Sequence, residues 1–220
     1  MLVKSRMSSS PITISPDTSL HDALSIMREN KVRRLPVLDS GGRLVGLVLE
    51  RDLLYAAPSP ATSLSVYEMN YLISKIKVKD LMASDLITVT EDTPIEEAAR
   101  VMVDNNIGGL PVVRDGKLVG MITESDLFEI FLEILGGREA GLRVTIGVKD
   151  ARGVLAQLTR SLAEYGADIV SLGTFWGDDP GEREITFRVQ NLDPSAMEKI
   201  VRDMDAELVD IRECTPVCPT

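Results

Sequence analysis

An internal repeat in this 220-residue chain limits the folds that it can adopt. The stretch from Thr13 to Val37 aligns with the stretch from Thr88 to Val112, with each residue 75 positions from its counterpart. The sequence Leu-Pro-Val occurs at 35–37 and again at 110–112. The second copy then lacks one residue in a glycine-rich turn, where a hairpin tolerates a deletion. The repeat therefore predicts two similar motifs that bury a shared core.

Each copy of the repeat is typical of a short strand, a helix, a β-hairpin and a closing helix. Apolar residues at helical spacing mark the first helix, and a glycine-containing turn between two apolar runs marks the hairpin. In the second copy, Thr93 suits the N-cap position, with Pro94 after it and Glu96 completing a capping box. The short strands are predicted at 12–14 and 87–89, and the closing helices at 51–56 and 125–135.

The region after the glycine pair at 136–137 has a different pattern. Strict alternation of apolar residues over 142–148 predicts a half-buried strand. A helix, a hairpin with its turn at 177–181, a second helix that starts at Asp193-Pro194 and a last strand follow. The order βαββαβ is the ferredoxin-like arrangement, an antiparallel sheet with both helices on one face. We therefore expect an α+β chain with a repeat module at 1–137 and a second domain at 138–220.

The charge and the apolar segments limit the partners of the chain. Its formal net charge is −10, whereas nucleic-acid binding depends on basic side chains, so no nucleic-acid partner is expected. No apolar stretch approaches the ~20 residues that a membrane span needs, so no membrane partner is expected. The first residues lack the apolar centre of a signal peptide. We therefore expect a cytoplasmic protein.

The sequence shows few groups suited to catalysis or metal binding. It has one histidine, His21, and two cysteines, Cys214 and Cys218. A structural zinc site usually needs four nitrogen or sulfur ligands, so two free thiols are favoured over a metal or redox pair. No phosphate-binding loop, dinucleotide fingerprint or nucleophile-elbow sequence is present. We expect no catalytic residues, no metal site and no catalytic cofactor, and therefore a protein that is not an enzyme.

The repeated unit resembles the CBS motif, and the pair resembles a Bateman module. The residues that carry the resemblance are the two Leu-Pro-Val strands and the sequence Gly-Met-Ile-Thr-Glu-Ser-Asp at 120–126. The motifs would cover about 3–56 and 78–135, with a linker at 57–77 that includes a short amphipathic helix. In this family the sequence that corresponds to residues 120–126 binds nucleotides. The resemblance implies that Asp126 accepts hydrogen bonds from ribose hydroxyls and that Thr123 donates one to a phosphate.

The resemblance also implies the other contacts of two nucleotide sites. The site of Asp52 departs from the family pattern because Leu49 stands where threonine is expected, and leucine cannot donate to a phosphate. The Asp52 site is therefore expected to be weaker, with Arg51 compensating. The alternative for both aspartates is simple helix capping. The implied contacts are Met7, Ile12, Asn105 and Asn106 at the Asp126 site, and Lys31, Arg51, Met82 and Ile87 at the Asp52 site.

The third region resembles an ACT domain, on the sequence Val-Lys-Asp-Ala-Arg-Gly-Val-Leu at 148–155. In ACT domains an amino acid often binds at this strand-to-helix turn, which here would involve Asp150, Arg152, Gly153 and Val154. Arg152 stands where that family usually has proline. The alternative is that Gly153 only shapes a tight turn and that the sheet edges form a dimer interface.

The order of two CBS motifs and an ACT domain resembles the AcuB group of acetoin-utilisation proteins. The CBS resemblance implies a regulatory sensor that binds an adenine nucleotide such as AMP, ADP or ATP, and the ACT resemblance implies an amino acid as a second candidate ligand. A homodimer is expected, because CBS pairs and ACT domains usually associate in pairs. The alternative is a non-catalytic interaction scaffold with degenerate ligand sites.

Overall fold

The computed structural model describes residues 1–56, 75–177 and 179–215. Most of the predicted linker at 57–77, with its amphipathic helix, and Cys218 lie outside this part of the chain. The helices are α1 (Leu20–Asn30), α2 (Glu50–Ala56), α3 (Ile95–Asp104), α4 (Glu124–Ile134), α5 (Val154–Glu164) and α6 (Pro194–Asp203). The strands are β1 (Ser8–Ser9), β2 (Arg34–Leu38), β3 (Leu44–Leu49), β4 (Gly109–Arg114), β5 (Lys117–Thr123), β6 (Gly141–Lys149), β7 (Asp168–Trp176), β8 (Glu182–Gln190) and β9 (Glu207–Cys214).

The α+β fold class predicted from the sequence is confirmed. The chain divides into two compact units, Met1–Leu127 and Phe128–Thr220, and this division falls inside α4. The sequence places a domain boundary at 137–138 instead, and that boundary stays a prediction. Across the described ranges, no helix combines the length and apolar composition that crossing a bilayer requires.

Motif one is built from α1, the β2–β3 hairpin and α2. Ser19 caps α1 by accepting a hydrogen bond from the backbone N–H of Asp22 at 3.1 Å. The helix ends at Asn30, and Lys31 forms its C-cap with a left-handed φ of 55°. Strands β2 and β3 pair antiparallel, and α2 follows β3 directly. Their buried side chains form one core: Ile14, Leu20, Ala23, Met27, Leu35, Val37, Val48, Leu53 and Val78.

Motif two repeats this arrangement with α3, the β4–β5 hairpin and α4. The predicted capping box at Thr93 is wrong, because α3 begins at Ile95 and Pro94 takes the N-cap position without a side-chain hydrogen bond. The Thr93 hydroxyl instead accepts from the backbone N–H of Thr90 at 3.1 Å. A threonine that bonds within the preceding turn is no longer available to the helix.

The two short strands predicted at 12–14 and 87–89 are also wrong. Each segment makes only an isolated parallel bridge, Ile14 with Val37 and Val89 with Val112. The strand that does form, β1, lies earlier in the chain and pairs with β5 of motif two. In the same way, Ala83 just before the second segment bridges Leu47 of motif one. The leading segment of each motif thus packs on a strand of the other motif.

The second unit contains a four-stranded antiparallel sheet in the order β7-β8-β6-β9. The predicted ferredoxin-like βαββαβ order is confirmed. Helix α6 starts where the sequence predicts, and Asp193 caps it by accepting a hydrogen bond from the N–H of Ala196 at 2.9 Å. One core joins α5 and α6 to alternate residues of the sheet: Leu142, Val144, Ile146, Leu158, Leu162, Ile185, Phe187, Val189, Met197, Ile200 and Val201.

Candidate functional site

A cavity of about 490 Å³ lies between the two motifs of the first unit. Its volume is within the range of roughly 300–1,000 Å³ that is usual for small-molecule sites. Motif one contributes Arg33, Arg34, Leu47, Leu49, Glu50, Arg51 and Asp52, and motif two contributes Ala83, Asp85, Leu86, Ile87, Asn106, Ile107, Gly108, Gly109, Pro111 and Glu124. We call this cavity the Asp52 cleft. It combines apolar surface with both signs of charge.

Asp52 reaches the cleft from the junction between β3 and α2. Strand β3 ends at Leu49, and α2 begins at the next residue, which places Asp52 in the first helical turn. The nearest cation is Arg51, whose Nε lies 3.5 Å from Asp52 Oδ1. Leu49 itself lines the cavity, so the wall presents an alkyl group where the family pattern has a hydroxyl.

Asn106 belongs to the Asp52 cleft, whereas the sequence grouped it with Asp126. Asn106 has a left-handed φ of 53° and leads into β4. Asn106 faces motif one because the cleft lies at the interface between the two motifs. The sequence of a single motif does not show which residues lie at that interface. Asn105 does not join it, because its Nδ2 donates to the carbonyl of Val101 at 2.8 Å and closes α3.

Arg34 lines the cleft, although the sequence does not predict it as a site residue. Its side chain is 22% exposed, and its Nη2 lies 3.9 Å from Oε2 of Glu124, which is 58% exposed. Burial lowers the pKa of the Arg34 guanidinium, and the negative charge of Glu124 opposes that shift. A signal was present in the repeat, because Arg33 and Arg34 stand where motif two has Gly108 and Gly109.

The counterpart residues at Asp126 are engaged with each other. Oδ2 of Asp126 accepts from the backbone N–H and from the hydroxyl of Thr123, both at 2.7 Å. Thr123 ends β5 and Asp126 lies in the first turn of α4, so the carboxylate caps the helix start. This is the capping alternative that the sequence left open for Asp126. These two bonds use only one carboxylate oxygen.

The leading segments approach the opposite motif, as the resemblance implies. Met7 lies against β5, where a Cβ on Gly120 would be 2.6 Å from the Met7 sulfur. Met82 lies in the same way against Gly46 of β3. Of the two isoleucines at these segments, Ile87 lines the Asp52 cleft and is 40% exposed, and Ile12 is 38% exposed.

Lys31 and Met82 were expected at the Asp52 site, but neither is among the residues that line this cavity. Lys31 ends α1 at the position that Asn106 occupies in motif two. Met82 is half-buried and packs against the core of motif one, so its side chain is held in that core instead.

A smaller cavity of about 200 Å³ lies at the turn between β6 and α5. Asp150, Gly153 and Val154 line it as expected, whereas Arg152 is not among the lining residues. Gly153 adopts a left-handed φ of 89° at the N-cap of α5 and supplies no side-chain cap. Arg183 also lines the cavity, with Nε 3.2 Å from Asp150 Oδ1 but without hydrogen-bond geometry. The Arg183 guanidinium also stacks 3.9 Å above the ring of Trp176.

The described part of the chain holds no cluster of three His, Cys, Asp or Glu side chains that could bind a metal ion. Cys214 is a half-buried free thiol on β9. Its expected companion, Cys218, is among the residues that are not described.

Comparison with known proteins agrees with both parts of the fold. The CBS domain model matches residues 3–59 and 78–133, and the TTHA0829-like ACT domain model matches residues 140–212. A CBS domain-containing protein of Dictyostelium discoideum is 38% identical over 136 residues, which cover 61% of this chain and 94% of the relative.

Two solved structures resemble the CBS part. A Vibrio cholerae protein assigned to acetoin utilization (AcuB) has a TM-score of 0.52 at 31% identity, and the match covers 62% of this chain and 93% of that one. The CBS domain pair of protein MJ0100, solved in complex with 5′-methylthioadenosine and S-adenosyl-L-methionine, has a TM-score of 0.51 at 30% identity. That match covers 63% of this chain and 98% of the other. The chain belongs to the CBS domain family, as an AcuB-like tandem CBS pair followed by a TTHA0829-like ACT domain.

Proposed function

We propose that the protein is a regulatory sensor that binds an adenine nucleotide in the Asp52 cleft. The observation that carries the proposal is the cavity itself, which is large enough for a nucleotide and is built by both motifs. The CBS pair of protein MJ0100, 30% identical to this chain, was solved with two adenosine derivatives. We place the regulatory site in the cytoplasm, where adenine nucleotides are abundant.

The residues that line the cleft suit the ribose, the adenine ring and the phosphate of a nucleotide. Asp52 accepts hydrogen bonds from the ribose hydroxyls, because a carboxylate is an acceptor and strengthens bonds from neutral donors. Ile87 and Pro111 supply apolar surface for the adenine ring. Asn106 and Arg51 donate to the phosphate, where Leu49 cannot. We therefore propose that the nucleotide binds more tightly in the Asp52 cleft than at Asp126, because Oδ2 of Asp126 already accepts two hydrogen bonds from Thr123. This order of affinity is the reverse of the one expected from the sequence.

Binding is proposed in place of catalysis because of the composition of the cleft. Among the described residues that line it, none is serine, threonine, cysteine, histidine, lysine or tyrosine. These are the side chains that most often act as nucleophiles in covalent catalysis. The carboxylates, guanidinium groups and apolar side chains that line the cleft are groups that recognise a ligand.

Isothermal titration with AMP, ADP, ATP and S-adenosylmethionine tests the proposal. Asp52→Asn should weaken the preferred ligand by at least about tenfold, since a hydrogen bond to a charged group contributes ~1.5–3 kcal/mol. Asp126→Asn should have a smaller effect. Asp168→Asn, at an exposed position on β7, is the matched control and should leave the affinity unchanged.

Two results would reject this function. The first is that no adenine ligand binds at millimolar concentration, which would favour the scaffold with degenerate sites. The second is that Asp126→Asn abolishes binding while Asp52→Asn leaves it intact, which would move the site to the other side of the motif pair.

A second candidate function is amino-acid binding at the β6–α5 turn. The cavity of about 200 Å³ there suits a ligand smaller than a nucleotide. The first backbone N–H groups of α5 lack a side-chain cap, and such groups bind carboxylates well. A thermal-shift panel of amino acids tests this function. Asp150→Asn should remove the shift and Arg152→Gln, outside the cavity lining, should preserve it; no shift with any amino acid would leave Gly153 a turn-forming residue only.

A further inference from the structure

The ACT-domain sheet carries three arginines side by side on one of its faces. The core side chains of α5 and α6 pack against the opposite face. On the outer face, Arg143 of β6 pairs directly with Arg188 of β8 on one side and with Arg212 of β9 on the other. Directly paired residues of neighbouring strands project from the same face and lie close together. We call Arg143, Arg188 and Arg212 the arginine row.

The arginine row has more positive charge than its neighbours neutralise. In the described part of the chain, Asp210 is the carboxylate that pairs with it, accepting from Arg143 Nη1 at 2.7 Å and from Arg212 Nη2 at 2.6 Å. The hydrogen bond from Arg212 and the charges of both arginines lower the pKa of Asp210, which keeps it ionised. One carboxylate against three guanidinium groups leaves an excess of two positive charges. Like charges at directly paired positions are destabilising, so a bound anion would relieve a cost that the row imposes on the sheet.

Arg188 is the covered member of the row. The residue is 6% exposed, and its Nη1 donates a hydrogen bond to the backbone carbonyl of Glu139. Its Nε is buried and has no hydrogen-bond partner among the described residues. A buried charge whose contact is a neutral carbonyl is weakly compensated, and a charge in such surroundings attracts an anion more strongly than one in water does.

The segment after α4 forms a wall at one end of the row. Ser171 of β7 pairs directly with Arg188, and a Cβ on Gly136 would be 3.0 Å from the Ser171 hydroxyl oxygen. Residues 136–139 therefore cross the outer face on its β7–β8 side. Towards β9 the row is accessible, because Arg143 is half-buried and Arg212 is exposed. The row is thus a guanidinium floor with a wall on one side and solvent on the other.

The positive region is only one row of residues deep. The next row of the outer face contains Thr145 and Thr186, whose hydroxyl oxygens are 2.9 Å apart. The row after that contains Glu184 and Glu207, which pair with Gly147 from either side. At ~3.3 Å per residue these carboxylates lie about 13 Å from the arginines along the strands. An extended polyanion would meet them, whereas a compact anion would not, so the surface favours a small ligand.

We propose that the arginine row is a binding site for a small dianion, either a phosphate monoester or a dicarboxylate. Two negative charges match the two positive charges in excess, and carboxylate and phosphate groups fit the planar fork of a guanidinium. Arg143 and Arg212 contact the ligand, and Arg188 adds its charge beside the wall. Asp210 competes with the ligand for the two contacting arginines. None of these residues lines the cavity at the β6–α5 turn or the Asp52 cleft, so the site is separate from both proposed functions.

Calorimetry of the full chain with succinate, inorganic phosphate and acetate tests the site at about pH 8, where phosphate is mainly a dianion. At least one dianion should bind about tenfold or more tightly than acetate, because a monoanion leaves one positive charge unmatched. Tighter binding of phosphate would assign the site to phosphate monoesters, and tighter binding of succinate would assign it to dicarboxylates.

Substitutions on the outer face identify the residues that bind. Arg143→Gln and Arg212→Gln should each weaken the preferred dianion by about tenfold, because each removes a charged hydrogen bond. Asp210→Asn should tighten it several-fold, because the competing carboxylate is gone. This opposite sign separates recognition from a folding defect, which would weaken binding in every variant. Arg160→Gln is the matched control, since Arg160 is an exposed arginine on α5, at the other face of the sheet.

The proposal is overturned if neither dianion binds at millimolar concentration, or if acetate binds as tightly as both. It is also overturned if Arg143→Gln and Arg212→Gln bind the dianion as the wild type does. Loss of binding in Arg51→Gln, with binding retained in Arg143→Gln, would place the anion in the Asp52 cleft instead. Weaker binding in Asp210→Asn would exclude the competition between Asp210 and the ligand.

Discussion

Lys4 Nζ lies 2.7 Å from Asp92 Oδ1, which links the leading segment of motif one to the turn before α3 of motif two. The same contact recurs 75 positions along the repeat, with Lys79 Nζ 2.8 Å from Asp17 Oδ1. Both pairs join one motif to the other, and both are exposed. The repeat in the sequence is therefore an approximate twofold relation in the structure, preserved down to individual ion pairs.

These pairs predict an acid-dependent loss of stability. The hydrogen bond from lysine lowers the pKa of Asp17 and of Asp92 below the ordinary value of 3.8. A carboxyl group with a lowered pKa stabilises the fold above its unfolded pKa, and this contribution is lost as the pH falls through the folded pKa. The contribution should therefore be complete at pH 6 and decline below about pH 4. Because the pairs are exposed, it should be small and weaker in salt.

Urea unfolding of the wild type and of the double variant Asp17→Asn/Asp92→Asn checks this expectation. The difference in unfolding free energy should be present at pH 6 and shrink below pH 4. Asp168→Asn serves as the control. A difference that grew on acidification would contradict the assigned direction of the two pKa shifts.

The space around Gly46 of β3 shows how tightly the leading segment of motif two is packed. A Cβ on Gly46 would overlap the sulfur of Met82 and lie 3.2 Å from the carbonyl oxygen of Ala83. Gly46→Ala should destabilise the protein by ~1–3 kcal/mol, the usual cost of overpacking a filled site. Adding Met82→Ala should recover part of that loss. The control is Gly147→Ala, where the nearest atom to a Cβ would be 3.6 Å away.

The measurement is the midpoint and slope of urea unfolding for the single and double variants. Gly46→Ala and Met82→Ala should be non-additive, because the residues share one space. If the two effects simply add, the sulfur does not limit the space at Gly46, and strain against the carbonyl of Ala83 becomes the explanation.

Much of the fold was predictable because its signals are local. Alternation along β6, the start of α6 at Asp193-Pro194 and the turn between β7 and β8 each depend on a few neighbouring residues, and these elements matched their predictions closely. The strand predicted at 12–14 does not form, because this segment makes only one bridge. Strand β1 was not predicted, because its partner strand lies more than a hundred positions away in the sequence.

The candidate site was predictable only in part, for a related reason. The Asp52 and Asp126 junctions follow from the repeat, and both lie at strand-to-helix turns as expected. The placement of Asn106 and Arg34 depends on how one motif packs on the other, and no local pattern encodes that. The sequence does contain one signal for Arg34, which is a difference between the two copies of the repeat. Arg33 and Arg34 of motif one align with two glycines of motif two, and such a difference indicates an asymmetric contact.

Gly108 provides a structural test of that contact. A Cβ there would displace both Arg34 and Glu124, and no left-handed backbone angle opposes alanine at this position. Because both side chains line the Asp52 cleft, Gly108→Ala should reduce the affinity for AMP, with calorimetry as the measurement. Equal affinities for AMP before and after the substitution would mean that the side chains move aside without loss.

The final prediction is that the chain forms a homodimer through the closing helices. Large apolar side chains are exposed there, with Tyr55 at 89% on α2 and Phe128 at 68% on α4. Exposed aromatic groups on a helix commonly mark protein–protein contacts. Tyr55→Glu and Phe128→Glu should each shift the mass measured by light scattering at micromolar concentration from dimer towards monomer. Val103→Glu is the control, because Val103 is an equally exposed apolar residue on α3, at 79%. A monomeric wild type would reject the dimer, and dissociation by Val103→Glu alone would move the interface to α3.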